Sequence, residues 1–207
     1  MDEFTGTALA CVRGERLVFK DLSFRVGAGQ VLALTGPNGS GKSSLLRLMA
    51  GLIRPAGGRL AWAGASVADD PDAHRARLHY LGHLDALKPA LTVTENVAFY
   101  AALRGHHDAA AVDAALAAFG LSALADLPAR FLSQGQRRRT ALARLLAAPA
   151  PLWLLDEPTL GLDAASLDAL LAVLRRHVAA GGRAVIATHV PLDVPGLDEL
   201  RLGDRTP

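Results

Sequence analysis

The chain has 207 residues, of which 51% are apolar and 20% charged, so it can bury the core of one domain and is not of the disordered class. Lys and Arg number 22 and Asp and Glu 20, and a net charge of +2 is too small to indicate nucleic-acid binding by itself. The single cysteine, Cys11, excludes an internal disulfide framework and a cysteine-built zinc site. We expect Cys11 to be a small core residue.

No stretch of the sequence is typical of a membrane-spanning helix. The longest apolar run, residues 145–155, contains two prolines and is shorter than the about 18 residues that a spanning helix needs. The chain starts with Met-Asp-Glu-Phe, which is acidic where a signal peptide is basic. We therefore expect a soluble protein on the reducing, cytoplasmic side of the membrane. Any role at the membrane would require binding to a membrane-embedded partner.

Apolar runs typical of buried strands alternate with segments of helical periodicity. Strands are predicted over residues 16–24, 30–34, 152–155 and 184–188, and helices over residues 43–50 and 164–180. The stretch from about residue 72 to 148 is rich in Ala and Leu, with a capping box at Thr92 and Glu95 and an amphipathic helix over residues 108–119. This order predicts an α/β fold, in which a parallel sheet carries helices on both faces and the helical stretch is an insertion.

Between the strand at 30–34 and the helix at 43–50 lies the sequence Gly-Pro-Asn-Gly-Ser-Gly-Lys-Ser, a complete Walker A pattern. The glycines let successive backbone N–H groups point at phosphate oxygens, and the start of the helix adds its positive dipole end. Lys42 supplies a charge for the outer phosphates, and the Ser43 hydroxyl is a hard ligand for Mg²⁺. A glycine-rich turn that binds nothing is the alternative, which the flanking strand and helix disfavour. The predicted nucleotide-binding residues are Gly36, Pro37, Asn38, Gly39, Ser40, Gly41, Lys42, Ser43 and Ser44.

Two acidic residues, Asp156 and Glu157, follow the apolar strand at 152–155. At the carboxyl end of a central parallel strand, Asp156 can hold Mg²⁺ through water, and Glu157 can reach the attacking water as general base. Many strands end in an acid because they reach the surface there. The combination with the upstream Walker A loop is what points to a catalytic pair.

Residues 132–136, Leu-Ser-Gln-Gly-Gln, precede a predicted helix over residues 137–148. Taken alone, they could be a helix cap followed by a turn. Together with the Walker A and B patterns, with Leu-Gly-Leu-Asp at 160–163 and with His189 after Thr188, they resemble the ATP-binding-cassette family in the order of its motifs. The resemblance covers nearly the whole chain.

Membership of that family implies a fold of the P-loop NTPase class, with a RecA-like, mainly parallel core sheet, an inserted α-helical subdomain and an N-terminal antiparallel β part. Residues 1–207 then form one domain. The resemblance also implies that two copies pair around ATP, so that Ser133, Gly135 and Gln136 of one copy contact the nucleotide bound by the other. ATP and Mg²⁺ are the expected ligands, with Lys42, Glu157 and His189 as the catalytic residues. The expected partners are integral membrane permease subunits and not nucleic acid.

The sequence departs from the family pattern at two positions. His83 follows the strand that leads into the insertion, where the family has Gln, and its imidazole can still bind Mg²⁺ or a metal-bound water. Arg13 stands where the family has an aromatic residue that stacks on adenine. Because a guanidinium can also stack on a π face, Arg13 is predicted to bind the base.

Residues 80–96, the run Arg137-Arg138-Arg139 and residues 150–158 are similar to one branch of the family, the ATP-binding subunits of the haem exporters that act in bacterial cytochrome c maturation. This resemblance implies ATP hydrolysis tied to haem export or release of a haem chaperone, on the cytoplasmic side of the inner membrane. We expect no direct haem binding by this chain: His106-His107 is interpreted as a polar loop, since no Cys-x-x-Cys-His motif is present.

Other functions stay open at this point. The chain could be a cassette ATPase that acts on DNA or ribosomes, or one that serves a transporter of another substrate. A nucleotide kinase or a GTPase fits less well, because neither has the signature helix. The arginine run at 137–139 is interpreted as a solvated or ion-paired helix face, and His74, His79 and His177 as residues of the surface or of a helix face.

Overall fold

The computed structural model describes residues 2–203, and its strands form two sheets. The N-terminal sheet is antiparallel, with the strand order β2-β1-β4-β5. Its strands are β1 (Phe4–Arg13), β2 (Arg16–Val26), β4 (Gly57–Trp62) and β5 (Ala65–Ser66).

The second sheet is parallel and holds five strands in the order β6-β7-β8-β3-β9. Strands β7 and β8 are buried at every position. Central strands of a parallel sheet are covered by helices on both faces, which explains the nearly continuous apolar runs in their sequences. The strands are β3 (Val31–Thr35), β6 (Leu78–Leu81), β7 (Leu152–Asp156), β8 (Arg183–Ala187) and β9 (Leu197–Arg201).

Residues 2–203 form six α-helices, five of which pack on the two faces of this sheet. One core joins α1 to the antiparallel sheet and one face of the parallel sheet, and a second core joins the opposite face to α3, α4, α5 and α6. The fold is therefore the predicted α/β architecture with a helical insertion and an antiparallel N-terminal part. The helices are α1 (Lys42–Met49), α2 (Pro71–Ala76), α3 (Val93–Leu103), α4 (Ala109–Ala118), α5 (Gln134–Ala147) and α6 (Ala164–Ala179).

Several boundaries differ from the sequence prediction. Strand β6 pairs with β7 in the parallel sheet, so the predicted helical range of 72–148 begins too early and the inserted helices start only after Leu81. Strands β1, β4 and β9 were not predicted, because their alternation of exposed and buried residues is irregular or short. The capping box of Thr92 and Glu95 is confirmed at the start of α3.

Three predictions about single side chains can be judged by burial. Cys11 is buried, as predicted. The placement of His79 at the surface or on a helix face is wrong, since it is 1% exposed in strand β6. His74 lies in helix α2, which agrees with one of the two alternatives, but it is also 1% exposed and so is not a surface residue. Nε2 of each imidazole donates to one carbonyl oxygen at the C-terminal end of a helix. The average exposure of histidines in proteins does not reveal such a role. Within residues 2–203, no helix is long and apolar enough to cross a membrane.

Candidate functional site

The Walker A loop connects β3 to α1, and two of its glycines are required by close approach. Gly36 has φ 126°, and a Cβ there would lie 2.1 Å from the carbonyl oxygen of Leu202. Gly41 has φ 104°, and a Cβ there would lie 2.7 Å from Cγ1 of Val18. The loop thus passes between β9 and β2 in a conformation that side chains would prevent.

The N-terminus of α1 is open to an anion. Gly41 precedes the helix without a side-chain cap, and a helix start whose N–H groups have no such partner is an anion-binding site. Lys42 is 7% exposed and donates to the carbonyl oxygens of Gly36, at 2.8 Å, and Pro37, at 3.1 Å. The hydroxyl of Ser40 is buried without a hydrogen-bond partner among the described residues. These groups can bind the phosphates of a nucleotide.

A magnesium site fits at the junction of α1 and β7. The Ser43 hydroxyl donates to Oδ1 of Asp156 at 3.1 Å, and Oδ2 of the 2%-exposed Asp156 is buried with no partner in residues 2–203. A hydroxyl and a carboxylate are the hard oxygen ligands that Mg²⁺ prefers, with water and phosphate completing the set. Among the described residues, no three or more His, Cys, Asp or Glu side chains cluster as a metal site of their own.

Glu157 follows β7 in a strained conformation, with φ 49°, which costs about 1–2 kcal/mol for a residue with a side chain. Its N–H donates to the carbonyl of Ala187 at 2.9 Å, and its Oε1 lies 3.4 Å from Nε2 of His189. The same Nε2 donates to Oδ1 of Asn38 at 3.2 Å. His189 therefore lies between the acid that follows β7 and the Walker A loop.

The signature residues form the N-terminus of α5. The Ser133 hydroxyl accepts from the N–H of Gln136 at 3.3 Å, and the Gln136 side chain accepts from the N–H of Ser133 at 2.8 Å. A Cβ on Gly135 would lie 2.8 Å from the carbonyl oxygen of Gly161, so the signature packs closely against the 160–163 loop. Ser133 itself is exposed.

The 160–163 loop ends by capping the next helix. Asp163 accepts from the N–H of Ser166 at 2.8 Å at the start of α6, and hydrogen bonds from Ser166 lower the pKa of this carboxyl. The loop thus caps α6 at one end, and its Gly161 lies close to Gly135 of the signature.

Two predicted residues lie at the edge of this arrangement. Arg13 is exposed in the tight turn between β1 and β2, opposite Arg16. His83 is exposed in the loop after β6. The apolar residues that contact the Walker A loop from the antiparallel sheet are Val18 and Phe19, which sequence reasoning missed; Cδ1 of Phe19 would lie 3.2 Å from a Cβ on Gly41.

Sequence reasoning also missed Arg138. It is 4% exposed and forms an ion pair with Asp85, so at the central position of residues 137–139 the ion-paired alternative is confirmed and the solvated one is wrong. The guanidinium donates to the carbonyl oxygens of Asp156, at 2.6 Å, and Glu157, at 2.7 Å. Helical periodicity could have identified it, because Arg138 lies on the same face of α5 as the buried Ala141, Leu142 and Leu145.

The chain is similar to known proteins over most of its length. The ABC transporter family profile matches residues 19–160. The cytochrome c biogenesis ATP-binding export protein CcmA of Paramagnetospirillum magneticum is 58% identical, over 96% of this chain and 93% of that protein. The protein of the same name from Rhodospirillum rubrum is also 58% identical, over 99% of this chain and 87% of that protein.

Solved structures agree with this result. A putative ABC transporter ATP-binding protein from Pyrococcus furiosus superposes with a TM-score of 0.85 over 97% of both chains at 22% identity, which shows the fold. A bacterial Atm1-family ABC exporter with ATP bound superposes with a TM-score of 0.84 at 26% identity, over 98% of this chain and 38% of that one. Fold, motif geometry and sequence similarity agree, and the chain belongs to the ABC transporter family.

Proposed function

We propose that this chain is the ATP-hydrolysing subunit of a membrane transporter that serves haem export in cytochrome c maturation. The observation that carries the proposal is the convergence of Glu157, His189 and Asn38 beside the Ser43–Asp156 pair, since these groups come from three separate parts of the chain. A structural role alone does not require an exposed histidine between a carboxylate and a Walker A asparagine.

Each residue has a chemical role in this proposal. Lys42 and the N–H groups at the start of α1 hold the phosphates, and Ser43 and Asp156 hold Mg²⁺, which when bound neutralises phosphate charge. Glu157 accepts a proton from the attacking water. Nε2 of His189 carries one N–H, which donates to Asn38 beside the Glu157 carboxylate in this structure and can donate to the terminal phosphate instead when nucleotide is bound. Phe19 joins Arg13 as a side chain on which adenine can stack.

A second copy of the chain completes the site. Ser133 and Gly135 lie at an exposed helix N-terminus, where a hydroxyl and backbone N–H groups can bind a phosphate held by the partner copy. Gln136 holds Ser133 in the required rotamer through the capping box. We therefore propose a homodimer that forms around ATP.

The membrane partner is proposed to contact the loop after β6 and helix α3. Large apolar side chains are exposed there, with Leu84 80%, Leu103 68% and Phe99 42% exposed, and His83 lies in the same loop. Exposed apolar side chains on this loop and helix fit an integral membrane permease better than nucleic acid, which needs a basic surface. The protein would then lie peripherally on the cytoplasmic side of the bacterial inner membrane.

The haem-related role rests on similarity, because an ATPase subunit contacts its permease and not the cargo. Relatives 58% identical over nearly the full chain are named as export proteins of cytochrome c biogenesis. Deleting the gene for this chain should abolish holocytochrome c formation while apocytochrome is still exported. Normal holocytochrome c in the deletion strain would contradict the haem role and favour a transporter of another substrate.

The catalytic assignment is tested by Glu157→Gln, which keeps the shape of the side chain but removes the base. We expect the rate of MgATP hydrolysis to fall about 10²–10⁴-fold with nucleotide binding retained. Asp113→Asn, at an exposed acid of α4, is the control and should hydrolyse ATP at the parent rate. Unchanged turnover in Glu157→Gln would refute the assigned base.

A further inference from the structure

The guanidinium of Arg138 connects three parts of the chain. Its Nη2 donates to the carbonyl oxygens of Asp156 and Glu157, and its Nη1 donates to the carbonyl oxygen of Gly82 at 3.1 Å and to Oδ1 of Asp85 at 2.9 Å. A single buried side chain on the signature helix therefore contacts both the end of β7 and the loop after β6.

The contact with β7 falls on the strained residue. Two successive carbonyl groups can reach one Nη2 because the backbone turns at Glu157, where φ is 49°. The carbonyl of Glu157 also accepts from the N–H of Leu160 at 3.2 Å, and its N–H donates to Ala187. A strained conformation persists only where its surroundings determine it, and Arg138 supplies the shortest of the bonds to Glu157.

The contact of Arg138 with the loop after β6 includes an ion pair with Asp85. The side chain of Asp85 is 21% exposed and pairs with a guanidinium that is 4% exposed, so water screens this ion pair only in part. Arg144, further along α5, binds the carbonyl oxygens of Asp85 and Ala86. The loop is thus anchored on α5 by two arginines, and Arg138 in addition reaches the end of β7.

We infer that Arg138 is a positioning residue, which holds the backbone of Glu157 in its left-handed conformation and makes that position depend on the loop of residues 82–86. A displacement of the loop withdraws Asp85 and Gly82 from the guanidinium, which frees Arg138 to move and releases Glu157 from its place beside His189. The inference rests on the proposed role of Glu157 as general base, and it assigns to Arg138 the link between the partner-facing loop and that base.

The first experiment measures MgATP hydrolysis by the full chain, purified with the membrane proteins that accompany it. Because a misplacement of about 1 Å costs about 100-fold in rate, we expect Arg138→Ala to lower kcat about 100-fold and to change KM less than about 3-fold. Arg138→Lys should recover about 10-fold of that loss, since an ammonium can still donate to the two carbonyl groups.

Arg175→Ala is the matched control. Arg175 also binds a main-chain oxygen and a carboxylate, both of Asp193, but at the surface of α6, and its loss should leave kcat unchanged. A fall in kcat no larger in Arg138→Ala than in Arg175→Ala would overturn the inference. An equal loss through KM, with kcat retained, would also overturn it, since a positioning residue acts on turnover.

The second experiment tests the link to the loop. Asp85→Asn keeps the acceptor oxygen but removes the charge, and we expect kcat to fall about 5-fold, with no further loss when it is combined with Arg138→Ala. If the fold-losses of kcat in Asp85→Asn and Arg138→Ala multiply in the double variant, the loop does not act through Arg138. If Arg138→Ala does not fold, Arg138→Lys and Asp85→Asn decide: parent kcat in both overturns the inference.

Glu157→Gln, measured alongside, separates this inference from the proposed function. Full activity of Glu157→Gln refutes the base itself. An inactive Glu157→Gln together with an unaffected Arg138→Ala refutes only the positioning role.

Discussion

Helix α1 begins behind Gly41 with no side-chain cap, whereas α5 begins behind Ser133 with a complete capping box. At their C-terminal ends the two helices are alike. The imidazole of His74 donates from Nε2 to the carbonyl of Met49, the last residue of α1, at 2.8 Å, and that of His79 donates from Nε2 to the carbonyl of Ala148, which follows α5. Both helices are therefore bonded by a histidine at the C-terminal end, and they differ at the N-terminal end, to which phosphate binding is assigned.

The two helix N-termini differ in how many of their N–H groups are bonded within the chain. The start of α1 has left its N–H groups to a ligand, and the loop before it is held between β2 and β9, so the chain by itself has a prepared phosphate site. The capping box at the start of α5 satisfies the N–H groups of Ser133 and Gln136, so the helix can begin without a partner, and the box does not use the N–H groups of Gln134 and Gly135. A second copy gains access to the Ser133 hydroxyl, whose proton is still free to be donated.

The largest expected effect concerns the prepared end. Removing the ammonium with Lys42→Ala should raise the Kd for MgATP about 100-fold, because charge-assisted bonds to phosphate are among the strongest in proteins. Equilibrium binding of MgATP to the full chain measures it. Arg47→Ala, which removes a positive charge from the exposed face of the same helix, should leave Kd unchanged. Binding by Lys42→Ala within 3-fold of the parent would mean that α1 is not the prepared end.

The next effect concerns the C-terminal ends. Burial lowers the pKa of His79 to about 3 from 6.5, and burial also lowers the pKa of His74. A group with a depressed pKa that is neutral when folded binds a proton only in the unfolded chain, so stability is full above pH 6.5 and falls as the pH drops toward 3. For His79 the loss between pH 7 and pH 5 is about 2 kcal/mol.

Urea denaturation at pH 7 and pH 5 measures this loss. His79→Gln, whose amide can still donate to the carbonyl of Ala148, should reduce the pH dependence, whereas His106→Gln, at an exposed loop, should leave it as in the parent. Equal pH dependence in the parent and in His79→Gln would show that the end of α5 is not held by a neutral imidazole.

The smallest expected effect compares two capping boxes. Ser133→Ala and Thr92→Ala each remove the hydroxyl of a complete box, at α5 and at α3, and each should lower the free energy of unfolding by about 1 kcal/mol. Only Ser133→Ala should weaken the ATP-dependent dimer, measured by light scattering in the Glu157→Gln background with MgATP. Equal weakening by both variants would mean that Ser133 acts only as a cap.

Much of the site was predictable because its chemistry is local in sequence. The Walker A pattern, the acids after β7 and the serine before α5 each lie within a few residues, and strand or helix periodicity places them at element ends. The same reasoning failed for His79 and Arg138. Both are polar residues whose burial is decided by partners far along the chain: Ala148 for His79, and Gly82 and Asp156 for Arg138.

By itself the sequence determined the α/β class, the phosphate loop and the family, since these depend on short patterns of residue type and on their order. The tertiary structure decided which polar residues act together. It brought Asn38, Glu157 and His189 into contact, placed Phe19 beside Gly41 and turned Arg138 inward. The physical reason is that a parallel sheet gathers loops from distant positions at one edge, and a one-dimensional pattern does not record which of them meet.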